Sequence, residues 1–489
     1  MMNRFLLACW LTFFFTAPTG IAVADLVTDW NATMRQVIQL DGTTTPAKSN
    51  PGWSTRTMAM VNTAIYDTFQ AFDRTHTPFL VDVRANPNTS RDAAVNQAAY
   101  DLLVETYPGQ QSMLQSVYDA RMALIPDGIE KTNGIGLGQI IAEACVDNRL
   151  DDHSGDMLPY TPGTAPGQWR PDPYNPDQVA WGPGWGTVET FAVQDTQSFI
   201  DALPAIPPLS SEAYADAFDM VKEYGAIDSA VRTAEQTETG LFWAYDRPSM
   251  GPPPVMFMQN LHEISMQANN TPEENARLFA MAAVAQADAA VASWDTKFEQ
   301  SFWRPVTAIH EADLDGNPET DADLTWRPLG APGNDPLGMD DNFTPPFPAW
   351  TSGHATMGGA VFKTLELFYG TNVFDEIDGI LGNDPLYMLT SEEADSGLMR
   401  EYATFTQTGP LGVGLENSPE GENGMSRIYL GIHWIFDQTD GIALGNDIAY
   451  YVSAHRFQAV PEPSTLCLAL AAAIGGLFAL HRRRGRASL

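Results

Sequence analysis

An all-α fold of two packed helical bundles is what this 489-residue chain predicts, on three observations. Apolar residues recur at helical spacing over long stretches, whereas strand-like alternation is rare. Loops rich in Pro and Gly, notably 157–187 and 325–350, separate the helical stretches. The composition, 44% apolar with 12 Trp, supplies a large core and is too aromatic for a disordered chain.

Both ends read as targeting segments. Residues 1–24, MMNRFLLACWLTFFFTAPTGIAVA, have one Arg, an apolar stretch and a small-x-small ending, which predicts a secretory signal cleaved before Asp25. Helical stretches then follow at 56–71 and 91–107. These two share an echo: Val61, Asn62, Ala64, Tyr66 and Asp67 recur 34 residues later as Val95, Asn96, Ala98, Tyr100 and Asp101. Two copies are too few for a solenoid and read as a duplicated helix within a bundle. Further helices are expected at 111–124, 134–147, 211–224, 233–245, 254–268, 271–298, 356–369 and 428–453. Nothing marks a clean linker, so 25–459 reads as one large all-α unit. Residues 460–489 hold a Pro-Glu-Pro triplet, a short apolar stretch and four Arg. This tail resembles the PEP-CTERM sorting signal of Gram-negative bacteria. That resemblance implies export, transient anchoring at the inner membrane, processing by an exosortase, and a periplasmic, outer-surface or extracellular-matrix destination.

Without its two ends the chain holds 21 basic and 60 acidic residues, a net charge of −39. Such an excess disfavours nucleic acid and anionic membrane as partners. Cys9 and Cys467 lie in the targeting segments, so Cys145 alone remains and no intrachain disulfide is available. The Asp-rich loop 311–323, EADLDGNPETDAD, does not match the EF-hand spacing and reads as a solvated acidic loop.

In so acidic a chain the basic residues inside apolar segments stand out. Lys297 lies among aromatics in SWDTKFEQSFWRP, with Arg304 seven residues on. On a helix both would point to one side, and Pro305 predicts a helix end at Arg304. Either the two pair with acidic neighbours or an anion joins them. In GMSRIYLGIHWIFDQTDG, Arg427 and His433 would flank a site from one continuous helix. Asp437, four residues past His433, could accept its second ring N–H. A His there is also compatible with a satisfied core position. In PFPAWTSGHATMGG, Ser352 precedes a helix expected to start near Ala355. Its hydroxyl and the Gly353 N–H would form an anion site at the helix N-terminus, with His354 at the edge. A serine nucleophile fits less well, because the strand-to-helix G-x-S-x-G elbow is missing.

Taken together and in order, Lys297-x6-Arg304-Pro305, Ser352-Gly353-His354 and Ser426-Arg427-x5-His433 resemble the signature shared by vanadium-dependent haloperoxidases and type 2 phosphatidic acid phosphatases. The segments 232–246, 293–309, 345–362 and 426–437 are similar to the chloroperoxidase type, and the likeness is good over about 230–460. The resemblance implies an all-α fold of the haloperoxidase and acid phosphatase kind with vanadate as cofactor, phosphate being able to take the same site. It implies that His433 is the vanadium ligand, that Lys297, Arg304, Ser352, Gly353 and Arg427 bind the vanadate oxygens, and that His354 is the acid–base residue. Asp246 would support the histidine and arginine groups, and Trp294 and Phe347 would line the halide side. Phe347, where bromoperoxidases tend to have His, leans towards the chloroperoxidase type. Thr351 departs from the Pro usual before Ser-Gly-His.

The implied reaction is oxidation of halide by hydrogen peroxide to hypohalous acid, which halogenates a small organic acceptor. An acid phosphatase forming a phosphohistidine at His433 is the alternative on the same residues. An inactive surface protein associated with exopolysaccharide is the third.

Overall fold

Proline behind a cap residue starts several of the helices that carry this fold. The computed structural model describes residues 25–44, 48–247, 250–333, 342–377, 385–393 and 398–460. The expected signal segment, and nearly all of the expected sorting tail, lie outside these residues. The helices are α1 (Leu26–Thr44), α2 (Pro51–Asp73), α3 (Arg91–Thr106), α4 (Gln111–Met122), α5 (Ile129–Asn148), α6 (Gln197–Ile200), α7 (Glu212–Tyr224) and α8 (Ala234–Phe242). They continue with α9 (Pro253–Gln267), α10 (Pro272–Gln300), α11 (Pro305–His310), α12 (Gly353–Tyr369), α13 (Pro419–Tyr429) and α14 (Ile435–His455). One antiparallel hairpin, β1 (Tyr387–Ser391) with β2 (Leu398–Tyr402), interrupts this order. The result is the expected helical architecture with a small hairpin added.

Local sequence explains the helix starts. Asn50, Thr271 and Ser418 cap α2, α10 and α13 through their side-chain oxygens, each followed by Pro at the first helical position. Thr271 and Glu274 complete a capping box. The middle of α10, LFAMAAVAQADAAVASW, is buried almost all round, as its lack of a polar face requires. It packs against α2, α12 and α14 as the central rod. Halfway along it, Asp288 accepts hydrogen bonds from the backbone N–H groups of Phe191, Ala192 and Val193 at 2.6 to 2.9 Å. This holds a long loop onto the rod.

The echo between α2 and α3 has a structural counterpart in α1, a helix the sequence reading omitted. Asn31 donates to Asn62 Oδ1 at 2.8 Å, and Trp30 Nε1 donates to Asn96 Oδ1 at 2.8 Å. The two echoed asparagines thus dock the same helix.

Three local expectations need correction. The helix expected over 428–453 is two helices, broken at 430–434. Gly431 takes φ 73°, a left-handed conformation that ends the first helix, and its backbone lies against Gly225. Arg427 and His433 therefore do not share a helix. Nor do Lys297 and Arg304: α10 ends at Gln300, Ser301 is its left-handed cap, and Arg304 is the extended residue before α11. The helix after Ser352 starts at Gly353, with Ser352 itself as cap. Within the acidic loop 311–323, Asp313, Glu319 and Asp321 are exposed, while Asp315 accepts from Asn317 N at 2.7 Å and Thr320 Oγ1 at 2.8 Å.

Helices α12 and α14 approach closely because small residues face each other. A β-carbon built on Gly445 would overlap the Thr356 carbonyl oxygen, and one on Gly359 would lie 2.9 Å from Ile442 O. This contact sets the spacing of the chain on either side of the site. Gly445→Ala tests it, since helix propensity alone would stabilise the variant by about 1 kcal/mol. The packing instead predicts a loss of about 1–3 kcal/mol from forced separation of the helices. A thermal midpoint below that of the parent supports the packing account, and a raised midpoint contradicts it.

Candidate active site

Residues separated by up to 187 positions in the sequence meet around one buried cavity, and most sit at helix ends. Lys297 lies in the last turn of α10 and Arg427 in the last turn of α13. Arg304 precedes α11, Ser352 caps α12, and His433 lies in the turn before α14. Phe347 comes from the loop leading to Ser352, and Asp246 follows α8. Asp246, Trp294, Phe347, Gly353, His354, Arg427 and His433 all line one small cavity.

Each cation is held by a different set of acceptors. Lys297 Nζ donates to the carbonyl oxygens of Pro348 (3.1 Å), Ala349 (3.0 Å) and Thr351. Its three N–H bonds are thereby taken, so it offers the cavity charge rather than a free donor. Arg304 donates through Nε to Phe347 O (2.9 Å) and through Nη1 to Ile432 O (2.8 Å). Arg427 Nη2 is 2.5 Å from Asp246 Oδ2. Among the described residues neither Lys297 nor Arg304 forms an ion pair with a carboxylate, so the salt-bridge alternative does not account for them. Burial, reinforced by Arg304, pushes the Lys297 pKa well below its ordinary value, and burial pushes Arg304 down to about 9.

The two histidines have defined tautomers. Arg304 Nη1 lies 2.9 Å from His433 Nε2, and a guanidinium can only donate. His433 Nε2 therefore carries a lone pair, and Nδ1 donates to Asp437 Oδ2 at 2.8 Å. The expected His433–Asp437 bond is present although His433 lies just outside the helix. Asp437 also accepts from Trp434 N at 3.1 Å. Burial, then Arg304 and Lys297, push the His433 pKa well down, while burial raises Asp437. His354 Nε2 lies 2.8 Å from the Ala244 carbonyl, so it donates there and leaves Nδ1 as the basic nitrogen. Burial, then Arg427, push its pKa down to about 3.

The donors left over define what fits. Arg304 Nη2, Arg427 Nε and Arg427 Nη1 are buried without a hydrogen-bond partner. Ser352 Oγ accepts from Ala355 N at 3.4 Å, which leaves its own O–H to donate. The Gly353 N–H heads the helix, where no intrahelical acceptor exists. A β-carbon on Gly353 would come within 3.1 Å of the Trp294 ring, so a larger residue would crowd this edge. Unpaired donors on buried guanidinium groups suit a multiply charged oxyanion such as vanadate or phosphate.

The apolar wall is built from Trp294 and Phe347, whose ring centroids are 5.2 Å apart. Lys297 Nζ and the Arg304 guanidinium lie 5.2 and 5.0 Å from the Phe347 ring. Both cations are thus partly desolvated against an aromatic face. Thr351 replaces a proline ring with hydrogen bonds. Its N–H donates to Thr296 Oγ1 at 3.3 Å, and its hydroxyl is within 3.1 Å of Ser293 Oγ and 3.3 Å of Thr356 Oγ1. Its carbonyl, which Lys297 needs, is unaffected by the side chain.

Two supports escaped the sequence reading. Asn423 Nδ2 donates to the His354 carbonyl at 2.9 Å, and Trp350 Nε1 donates to Asp440 Oδ2 at 2.8 Å. Asn423 lies four residues before Arg427 on α13, so its spacing carried a usable signal.

Comparison with known proteins follows this geometry. Residues 277–461 match the family described as the VCPO second helical-bundle domain, and residues 459–484 match the PEP-CTERM protein-sorting motif. A vanadium chloroperoxidase of Curvularia inaequalis is 29% identical, over 83% of this chain and 78% of that protein. A structure described as the first bacterial vanadium-dependent iodoperoxidase superposes with a TM-score of 0.70 at 19% identity, covering 89% of this chain and 98% of that one. A holo-type bacterial vanadium-dependent chloroperoxidase gives 0.59 at 14% identity, with coverage of 85% and 95%.

An oxyanion bound here would put negative charge beside His354 and offset Arg427, so the His354 pKa should rise from about 3. Ring titration by NMR with and without saturating phosphate measures this shift. A titration that ignores bound phosphate would mean that the anion sits elsewhere.

Proposed function

We propose that this chain, which belongs to the vanadium-dependent haloperoxidases, oxidises halide with hydrogen peroxide to hypohalous acid and holds vanadate as its cofactor. The observation that carries the site assignment is the set of unpartnered Arg304 and Arg427 donors beside the His433 Nε2 lone pair. In this reading His433 is the metal ligand, and the Asp437 bond fixes the tautomer that makes it one. Arg304, Arg427, the Ser352 hydroxyl and the Gly353 N–H hold the oxygens. Lys297 adds charge and shapes the 348–351 loop through its three carbonyl bonds. Asp246 keeps Arg427 in position. Trp294 and Phe347 border the halide side and exclude water.

When bound, vanadate supplies Lewis acidity that polarises the peroxide oxygen–oxygen bond towards halide attack. The reaction takes up one proton: hydrogen peroxide, halide and a proton give hypohalous acid and water. His354 is placed to handle that proton at Nδ1, because Nε2 is committed to Ala244. A phosphohistidine mechanism would use the same His433 lone pair. The similarity to haloperoxidases over most of the chain supports the peroxidase instead.

The tail motif fits export from a Gram-negative bacterium. We read the destination as the periplasm, outer surface or matrix after exosortase cleavage. Among the described residues, no helix is long and apolar enough to cross a membrane.

Purified protein loaded with orthovanadate should halogenate a phenolic dye in the presence of peroxide and halide, and His433→Ala should reduce this to background. Hydrolysis of a chromogenic phosphate ester without any halogenation would overturn the reading. Lys297→Met should weaken vanadate binding about ten-fold or more, because one buried charge contributes on the order of 2 kcal/mol. Equilibrium binding with a dissociation constant unchanged from the parent would remove Lys297 from the cofactor site.

A further inference from the structure

A second cavity of about 280 Å³ adjoins the inner one and shares Pro51, Asp246, Pro253, Pro345 and Phe347 with it. The shared walls place it beside the cavity that His433 lines. Most of its wall is proline and aromatic. Among the described residues that line it, Arg247 is the one cation and Asp246 the one carboxylate. Asp246 is already engaged by Arg427. Arg247 is 19% exposed at its side chain and plays no part in the cradle.

Arg247 has a buried partner. Its Nε lies 2.8 Å from Glu393 Oε1, and its Nη2 donates to the Glu393 carbonyl at 3.1 Å. The Glu393 side chain is 1% exposed. The residues around Glu393 are fixed to the same stretch that carries Asp246. Glu393 N donates to Ser391 Oγ (3.2 Å), Ser391 Oγ donates to Phe242 O (2.7 Å), and Glu392 N donates to Tyr245 Oη (2.7 Å). Arg247 and Asp246 from the loop after α8 and Arg427 from α13 are the charged groups acting on Glu393. Its neighbour Glu392 pairs with Arg35 of α1 at 3.5 Å.

We infer that Arg247 draws the halide anion into the site, and that Glu393 is the counter-charge that masks or unmasks it according to its protonation. This rests on the haloperoxidase reading above. A halide approaching a chain of net charge −35 meets a repulsive field, and a positive group in the approach cavity offsets it locally. With Glu393 ionised, the Arg247 pair is neutral. With Glu393 protonated, Arg247 presents an uncompensated charge to the cavity. Burial raises the Glu393 carboxyl to about 7, against the pull of Arg247. The carboxyl is therefore protonated below that pH and ionised above it, so halide affinity falls as pH rises through about 7.

Steady-state bromide kinetics of the vanadate-loaded enzyme test this between about pH 6 and 8, on either side of that titration. In the parent, the KM for bromide should rise across this range. Glu393→Gln cannot ionise and should keep the low-pH KM throughout. Other titrating groups remain in both proteins, so the difference isolates Glu393. Arg247→Gln should raise the KM for bromide about ten-fold at the acidic end, flatten its pH dependence and raise the ratio of bromide KM to peroxide KM, since peroxide is neutral. Arg247→Lys should recover most of the loss. A bromide KM in Arg247→Gln equal to that of the parent overturns the inference, as does a parental slope in Glu393→Gln. Should Glu393→Gln fail to fold, the Arg247 variants decide alone. A parent that binds vanadate yet halogenates nothing overturns the haloperoxidase reading and this inference with it. Normal parental halogenation with unaffected variants overturns only this one.

Discussion

Three cations buried around one small cavity form the constraint on which this fold turns. Lys297, Arg304 and Arg427 have almost no exposed surface; Asp437 is the opposite charge acting on Lys297, and Asp437, Asp246 and Asp172 act on Arg304. Charges removed from water need acceptors in its place. Backbone carbonyls supply most of them: three for Lys297 and two for Arg304. This explains why the stretch 345–351 is irregular. A helix directs its carbonyls to its own N–H groups, whereas Phe347, Pro348, Ala349 and Thr351 must point theirs at side chains.

Helix ends meet the same constraint from another direction. Lys297 and Arg427 lie in the final turns of α10 and α13, beside the negative ends of the helix dipoles. The positive end of α12 faces the place where an anion is needed, through Ser352 and Gly353. Positive side chains at C-termini and an open N-terminus suit an anion without straining either helix. The glycine contact between α12 and α14 then keeps Ser352 against α14, with Ser352 N donating to Asp437 O at 3.0 Å. One packed surface thus aligns the cradle with the histidine that completes it.

Much of this was legible in the sequence because it is local. The Ser-Gly-His cap, the His433–Asp437 spacing and the proline after Arg304 each act within about one helical turn. The break at 430–434 was not legible, because Gly431 sits in a run whose apolar spacing continues through it. What ends the helix is a close contact with Gly225, about 200 residues earlier. The Arg247–Glu393 pair was hidden for the same reason. Glu393 looks like one of many surface acids in a chain with 61 of them, and only the hairpin brings it indoors. Thr351 was visible as a departure, but its compensation depends on hydroxyls from Ser293, Thr296 and Thr356 on two other segments.

The cavity walls also bear on the product of the proposed reaction. Hypohalous acid is an electrophilic oxidant, and sulfur side chains are among its readiest targets. Among the described residues, the outer cavity is lined by prolines, phenylalanines, short polar residues and the Asp246–Arg247 stretch, with no Met or Cys and only Trp181 as an easily oxidised ring. Met357 and Trp294 do line the inner cavity, whereas Cys145 is buried among residues of the N-terminal half. Proline and phenylalanine repel water while offering the oxidant little to attack. In the function proposed above, the charge pattern works in the same direction: an incoming halide, an anion, would respond to Arg247, whereas a neutral acid would not, and the wall would hold the substrate electrostatically without retaining the product.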